Sequence, residues 1–85
     1  KLKFNIFPNP VYNQATISYS IADSEPVNIS LLNLSGQTME TIVDAHQTAG
    51  DYHIRWTKAK GIRQGIYICR LAVSDKISQC KMIVM

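Results

Sequence analysis

Apolar and polar residues alternate with a spacing of two along most of the chain, the period of β-strands that turn one face to a core. Ile17, Tyr19 and Ile21 alternate with Thr16, Ser18 and Ser20. Val27, Ile29 and Leu31 alternate with Asn28 and Ser30, and Leu32 and Leu34 complicate the far end of that run. Tyr52, Ile54 and Trp56 are interleaved with His53 and Arg55; Tyr67, Cys69, Leu71 and Val73 share one face. The run Ile77 to Met85 sets Cys80, Met82 and Val84 opposite Lys81. With the short run Phe4 to Phe7 and the segment Gln37 to Val43, seven strands are expected. A helix needs about ten or more residues of 3.6 periodicity and a cap, and no stretch supplies both. The nearest candidate, Met39 to His46, carries β-branched Thr41, Ile42 and Val43 and reads as strand passing into loop.

Loop chemistry separates the runs: Pro8-Asn9-Pro10, Asp23-Ser24-Glu25-Pro26, Ser35-Gly36, Ala49-Gly50-Asp51, Gly61 to Gly65 and Ser74-Asp75. At Ile6-Phe7-Pro8-Asn9-Pro10 a short strand stops hard, because neither proline fits a central sheet position and Asn9 is pushed away from helix. A two-residue loop at Ser74-Asp75 would set Val73 against Lys76 and Cys69 against Cys80, a register that permits a cross-strand disulfide. A shift of one residue sets Cys69 against Met82 instead. Two buried thiols acting as small apolar groups is the preferred reading. The expected fold is all-β, a small seven-stranded antiparallel sandwich of immunoglobulin-like layout. No Cys precedes Trp56, so the Cys–Trp–Cys frame of a true immunoglobulin domain is absent.

At 85 residues and 46% apolar content the chain suits one domain with a modest core, and no window reaches membrane-span length. It lacks both an initiator Met and a leader of the secretory kind, and so reads as a piece cut from something longer. The net charge is +3, and Arg55, Lys58, Lys60 and Arg63 lie close together. Only Trp56 among aromatics accompanies them, and no nucleic-acid motif does, so a solvated loop is expected and a nucleic-acid partner is not. His46, in an expected loop, and His53 have no third ligand near them in sequence, and the six carboxylates are scattered. Ser35-Gly36 lacks the glycines of a nucleophile elbow. Neither catalysis, a metal nor a cofactor is expected.

Taken together, Phe7-Pro8-Asn9-Pro10, the run Ile29 to Leu34 closing on Ser35-Gly36-Gln37, Ala49-Gly50 before Tyr52 to Trp56, Gly65-Ile66-Tyr67 and Lys81-Met82-Ile83-Val84 resemble one family. It is the C-terminal sorting domain, type A, of cargo for the type IX (Por) secretion system of Bacteroidetes. The resemblance runs from Phe4 to Met85, with the motifs in the family's order. Asn33 stands where Asp often precedes the glycine turn, Gln37 where a basic residue follows, Thr57 where Asp or Asn is common, and Met85 where many members end in a basic residue.

The resemblance implies a domain at the C-terminus of a larger cargo that reaches the periplasm by a separate signal. It is then recognised by the outer-membrane translocon and removed by a sortase-like protease, and the cargo is attached at the cell surface or released. Gly65, Tyr67, Lys81, Met82, Ile83, Val84 and Met85 are the recognition candidates; Pro8, Asn9, Pro10, Gly36, Gly50 and Trp56 are the structural motif positions. The domain is expected to be a monomer. A terminal strand offers backbone groups for strand addition, and its tip is expected to matter more for export than for folding. Ile83 and Met85 share a side with Lys81, which leaves an apolar edge outside the sandwich. The rival reading is a passive or carbohydrate-binding sandwich. For that role only Tyr12 and Trp56 stand as exposed aromatics, the other five fitting core positions.

Overall fold

The computed structural model describes residues 3–85, which run through β1 (Lys3–Phe7), β2 (Gln14–Ile21), β3 (Glu25–Leu32), β4 (Thr38–Gln47), β5 (Gly50–Thr57), β6 (Gly65–Val73) and β7 (Lys76–Val84). The strands form two antiparallel sheets, one ordered β1-β2-β5 and the other β4-β3-β6-β7. The fold is the expected seven-stranded β-sandwich. Its fourth strand joins the sheet of the third, sixth and seventh strands, whereas in a constant-type immunoglobulin domain it would join that of the first, second and fifth.

A tight turn explains that placement. The Asn33 side-chain Oδ1 accepts hydrogen bonds from the Ser35 amide at 3.0 Å and the Gln37 amide at 2.9 Å. Gly36 adopts φ 87°, in the left-handed region that a side chain disfavours. The chain is thereby reversed at once, and β4 must pair with β3. Asn33 and Gln37 departed from the family pattern, yet the acceptor role of an Asp is preserved here. The Asn33 Nδ2 also donates to Gln37 Oε1 at 2.8 Å.

The inner faces of the two sheets close on one core. Ile17, Ile29, Leu31, Leu71, Met82, Val84 and Cys69 are fully buried, and Trp56 and Tyr67 are buried as large aromatics. Each wholly buried aliphatic side chain contributes about 1.5–3 kcal/mol of transfer free energy. The Trp56 indole N–H donates to Glu40 Oε1 at 3.0 Å, and the Tyr67 hydroxyl donates to the Arg63 carbonyl at 2.8 Å, so both polar tips are satisfied. Tyr19 and Tyr52 stack across β2 and β5 with ring centroids 5.2 Å apart. The β6–β7 hairpin turns on Ser74 and Asp75, with Ser74 at φ 53°, and sets Val73 against Lys76 and Cys69 against Cys80, as counted from the sequence. Cys69 is buried but Cys80 is half-buried, so only one of the two thiols is a true core group.

Two boundaries differ from expectation. β4 continues through Asp44, Ala45 and His46 to Gln47, so His46 lies on a strand and not in a loop. Those residues carry no strand pattern because β4 is a sheet edge with both faces partly open to water. Phe7 was placed in the core and is 72% exposed. Ile6 points inward, and period two then turns Phe7 outward.

Candidate functional site

The turn at Pro8-Asn9-Pro10 carries Asn9 against the last strand, and both X-Pro bonds of the turn are cis. The Asn9 Nδ2 donates to the Lys81 carbonyl at 2.8 Å, and its Oδ1 accepts from the Ile83 amide at 3.0 Å. One side-chain amide thus supplies the donor and acceptor that a neighbouring strand would present. Val11 continues the pairing with its backbone. Its amide donates to the Ile83 carbonyl at 2.7 Å, and its carbonyl accepts from the Met85 amide at 2.8 Å, forming a parallel bridge to Val84. The first turn and the end of β7 are therefore joined by four hydrogen bonds.

The recognition candidates divide by side-chain direction. Met82 and Val84 are fully buried, and Tyr67 and Gly65 pair with them across β6 and β7. Lys81 and Met85 are exposed and Ile83 is half-buried, on the outer face of the four-stranded sheet. Ile66, opposite Ile83, and Ile68, opposite Lys81, extend that face. Leu32 lies opposite Ile68 on β3. Phe7 and Tyr12, 72% and 68% exposed, flank the Asn9–Val11 segment in sequence. Among the motif positions, Gly36 makes the β3–β4 turn, Gly50 opens β5 opposite Ile21, and Trp56 lies in the core opposite Ala15. The sequence pointed to Asn9 only as a turn former. No local pattern signals a bond to residues more than seventy positions away.

This geometry bears on what was expected of β7. The outward backbone groups at its C-terminal end are taken by Asn9 and Val11, so strand addition at Lys81–Met85 would first have to displace them. The open part of that edge is Ile77 to Gln79, where the same alternation turns the backbone groups away from β6. Removing Lys81 to Met85 would also remove two fully buried side chains, so the tip contributes to the core as well as to the outer face. The sugar-binding reading loses its main aromatic, since Trp56 is 3% exposed.

Other groups show little that is reactive. His46 and His53 are exposed, and the His53 Nδ1 lies 2.9 Å from the Ser18 hydroxyl. No group of three or more His, Cys, Asp or Glu converges among the described residues. Burial raises the Tyr19 phenol above its ordinary 10.0 and pushes the Cys69 thiol up to about 12, so both are held neutral. Arg55, Lys60 and Arg63 are exposed around the β5–β6 loop, whose Ile62 is buried. A concavity of about 280 Å³ at the opposite end of the sandwich is lined by Lys3, Glu25, Asp51 and Lys76, a solvated mixture of charges. No helix among the described residues is long and apolar enough to cross a membrane.

A search of curated proteins gives no match. The family model described as "Secretion system C-terminal sorting domain" matches residues 5–85, which takes in the first turn, every glycine turn and the whole of β7. A sorting signal of type IX secretion directs its cargo to the cell surface or the extracellular space, and implies an upstream cargo and contact with the secretion machinery. With a match over essentially its whole length and an all-β sandwich fold, this chain belongs to the family of type IX secretion C-terminal sorting domains.

Proposed function

We propose that the outer-membrane translocon reads this domain as a folded surface in which both ends of the chain take part. The observation that carries the reading is the four-bond junction between Asn9–Val11 and Lys81–Met85. A linear C-terminal tag would need no such junction, and its side chains would all be available to a partner. Here Met82 and Val84 are committed to the core, which leaves Lys81, Ile83 and Met85, with Ile66 beside them, to be read. Gly65 and Tyr67 act beneath that surface by fixing the register of β6 against β7.

In this reading the domain sits at the end of a larger secreted protein and acts as a monomer without catalysis. It crosses the periplasm with its cargo, engages the translocon and is removed by a sortase-like protease once its task is done. The apolar residues of the outer face, Ile66 and Ile83 paired across β6 and β7 and the exposed Met85 beyond them, are the surface such a partner would cover.

A reporter fused ahead of the domain tests this, expressed in a host with and without the translocon. Surface reporter should appear only where the translocon is present. Lys81→Asp and Ile83→Asp, which alter the outer face alone, should hold the reporter in the periplasm while the purified domain keeps its melting temperature. Undiminished export of both variants would mean that recognition lies elsewhere.

A further inference from the structure

We propose that Cys69 and Cys80 form a reversible disulfide that staples the terminal strand to its neighbour. The two residues are direct partners across β6 and β7. Both side chains lie on the inner face, Cys69 in the core cluster and Cys80 packed at its margin. The Ile83 backbone bonds outward to Asn9 and Val11, so Ile66–Ile83 is a non-hydrogen-bonded pair with respect to β6. Alternation then makes Cys69–Cys80 a hydrogen-bonded pair. The Cα separation of such pairs, about 5.5 Å, falls inside the range of natural disulfides. Their Cβ atoms stand about 4.5–5.5 Å apart, slightly beyond the disulfide range of about 3.5–4.5 Å, so the two strands must draw together by a fraction of an ångström to 1 Å or so. A bond closed against that resistance is more easily reduced than an unstrained one, which makes it reversible.

Access favours one order of events. Cys80 is half-buried on an edge strand, with its thiol donating to the Lys81 carbonyl at 3.6 Å, whereas Cys69 is wholly enclosed. Cys80 therefore meets an external disulfide first. Its thiolate attacks one sulfur of the oxidant, one thiolate leaves, and a mixed disulfide remains on Cys80. The Cys69 thiolate then attacks the Cys80 sulfur and releases the second thiolate. Two protein thiols are oxidised, one disulfide is reduced to two thiols, and the two protons end on those thiols. Burial holds the Cys69 thiol protonated, its pKa pushed up to about 12, so the second step is the slow one and quickens as pH rises. The bond would lie next to the Ile68–Lys81 pair and two pairs from Tyr67–Met82, so it fixes β7 in register just ahead of the Lys81–Met85 segment. The inference stands on strand register and is independent of the sorting reading.

The test uses the full chain with oxidised glutathione as oxidant, followed by acid quenching, alkylation in denaturant and intact-mass measurement. The expected product has lost the mass of two hydrogen atoms, takes up no alkyl group and yields a linked Cys69–Cys80 peptide. Dithiothreitol should restore both thiols. Cys69→Ala should stop at a stable glutathione adduct on Cys80, and Cys80→Ala should leave Cys69 unmodified while the chain is folded by circular dichroism. Retention of both thiols in the wild-type chain, a persistent Cys80 adduct, or a disulfide-linked dimer would each overturn the proposal.

Discussion

Asn33 and Asn9 do the same kind of bonding at opposite ranges. Asn33 closes on the amides of Ser35 and Gln37, two and four residues ahead, and needs only its own turn to do so. Asn9 closes on Lys81 and Ile83, 72 and 74 residues away, and can do so only after the sandwich has assembled. The first residue helps to build the fold, and the second is bonded only in the finished fold. A signal that depends on Asn9 therefore reports completed folding, which a signal carried by a linear tail could not.

The largest effects should come from breaking the frame that brings Asn9 to β7. Trp56→Ala empties a buried site and leaves Glu40 without its donor, at a cost of about 3–5 kcal/mol. Met82→Ala, beneath the junction itself, should cost about 2–5 kcal/mol. Thermal unfolding should show both as large losses of melting temperature, with Asn33 unable to rescue either.

The comparison is sharpest when both asparagines receive the same substitution. Asn33→Asp keeps the acceptor that holds the turn; its lost donor faces only the exposed Gln37 amide, which can turn its N–H to the new oxygen, so stability should change by about 0.5 kcal/mol or less. Asn9→Asp keeps the acceptor for Ile83 but replaces the donor to Lys81 with an oxygen facing an oxygen, and should cost about 1–3 kcal/mol. Chemical denaturation measures both. Equal effects would erase the distinction between local and closing asparagines.

A smaller effect separates the core from its seams. Tyr19 and Cys69 are acids kept neutral by burial, so their protons leave the unfolded chain first. Stability should be constant below about pH 9 and fall as pH climbs through the range from there toward 12. Tyr19→Phe should weaken that alkaline fall. A stability curve flat to pH 12 would show that neither group is held neutral in the fold.

Much of the architecture was legible because it is local. A two-residue loop at Ser74-Asp75 is one of the two β6–β7 registers the sequence left open, and it is the one found, whereas Phe7 was expected in the core and faces out because Ile6 faces in. What could not be read is set at a distance. Asp44, Ala45 and His46 hide their strand because an edge strand has little core to face. Asn9 looked like a turn residue, and the family resemblance marked its position without revealing its partners. The end of β7 was legible by contrast, because alternation alone set Met82 and Val84 opposite Lys81, Ile83 and Met85, and burial divides them the same way.

Amide hydrogen exchange along β7 tests the junction most directly, because the strand carries its own control. Ile77 and Gln79 turn their amides to open solvent, while those of Ile83 and Met85 are bonded to Asn9 and Val11. The account expects slow exchange at Ile83 and Met85, fast exchange at Ile77 and Gln79, and a selective loss of protection at Ile83 in Asn9→Ala. Exchange at Ile83 and Met85 as fast as at Gln79 in the wild-type chain would contradict it.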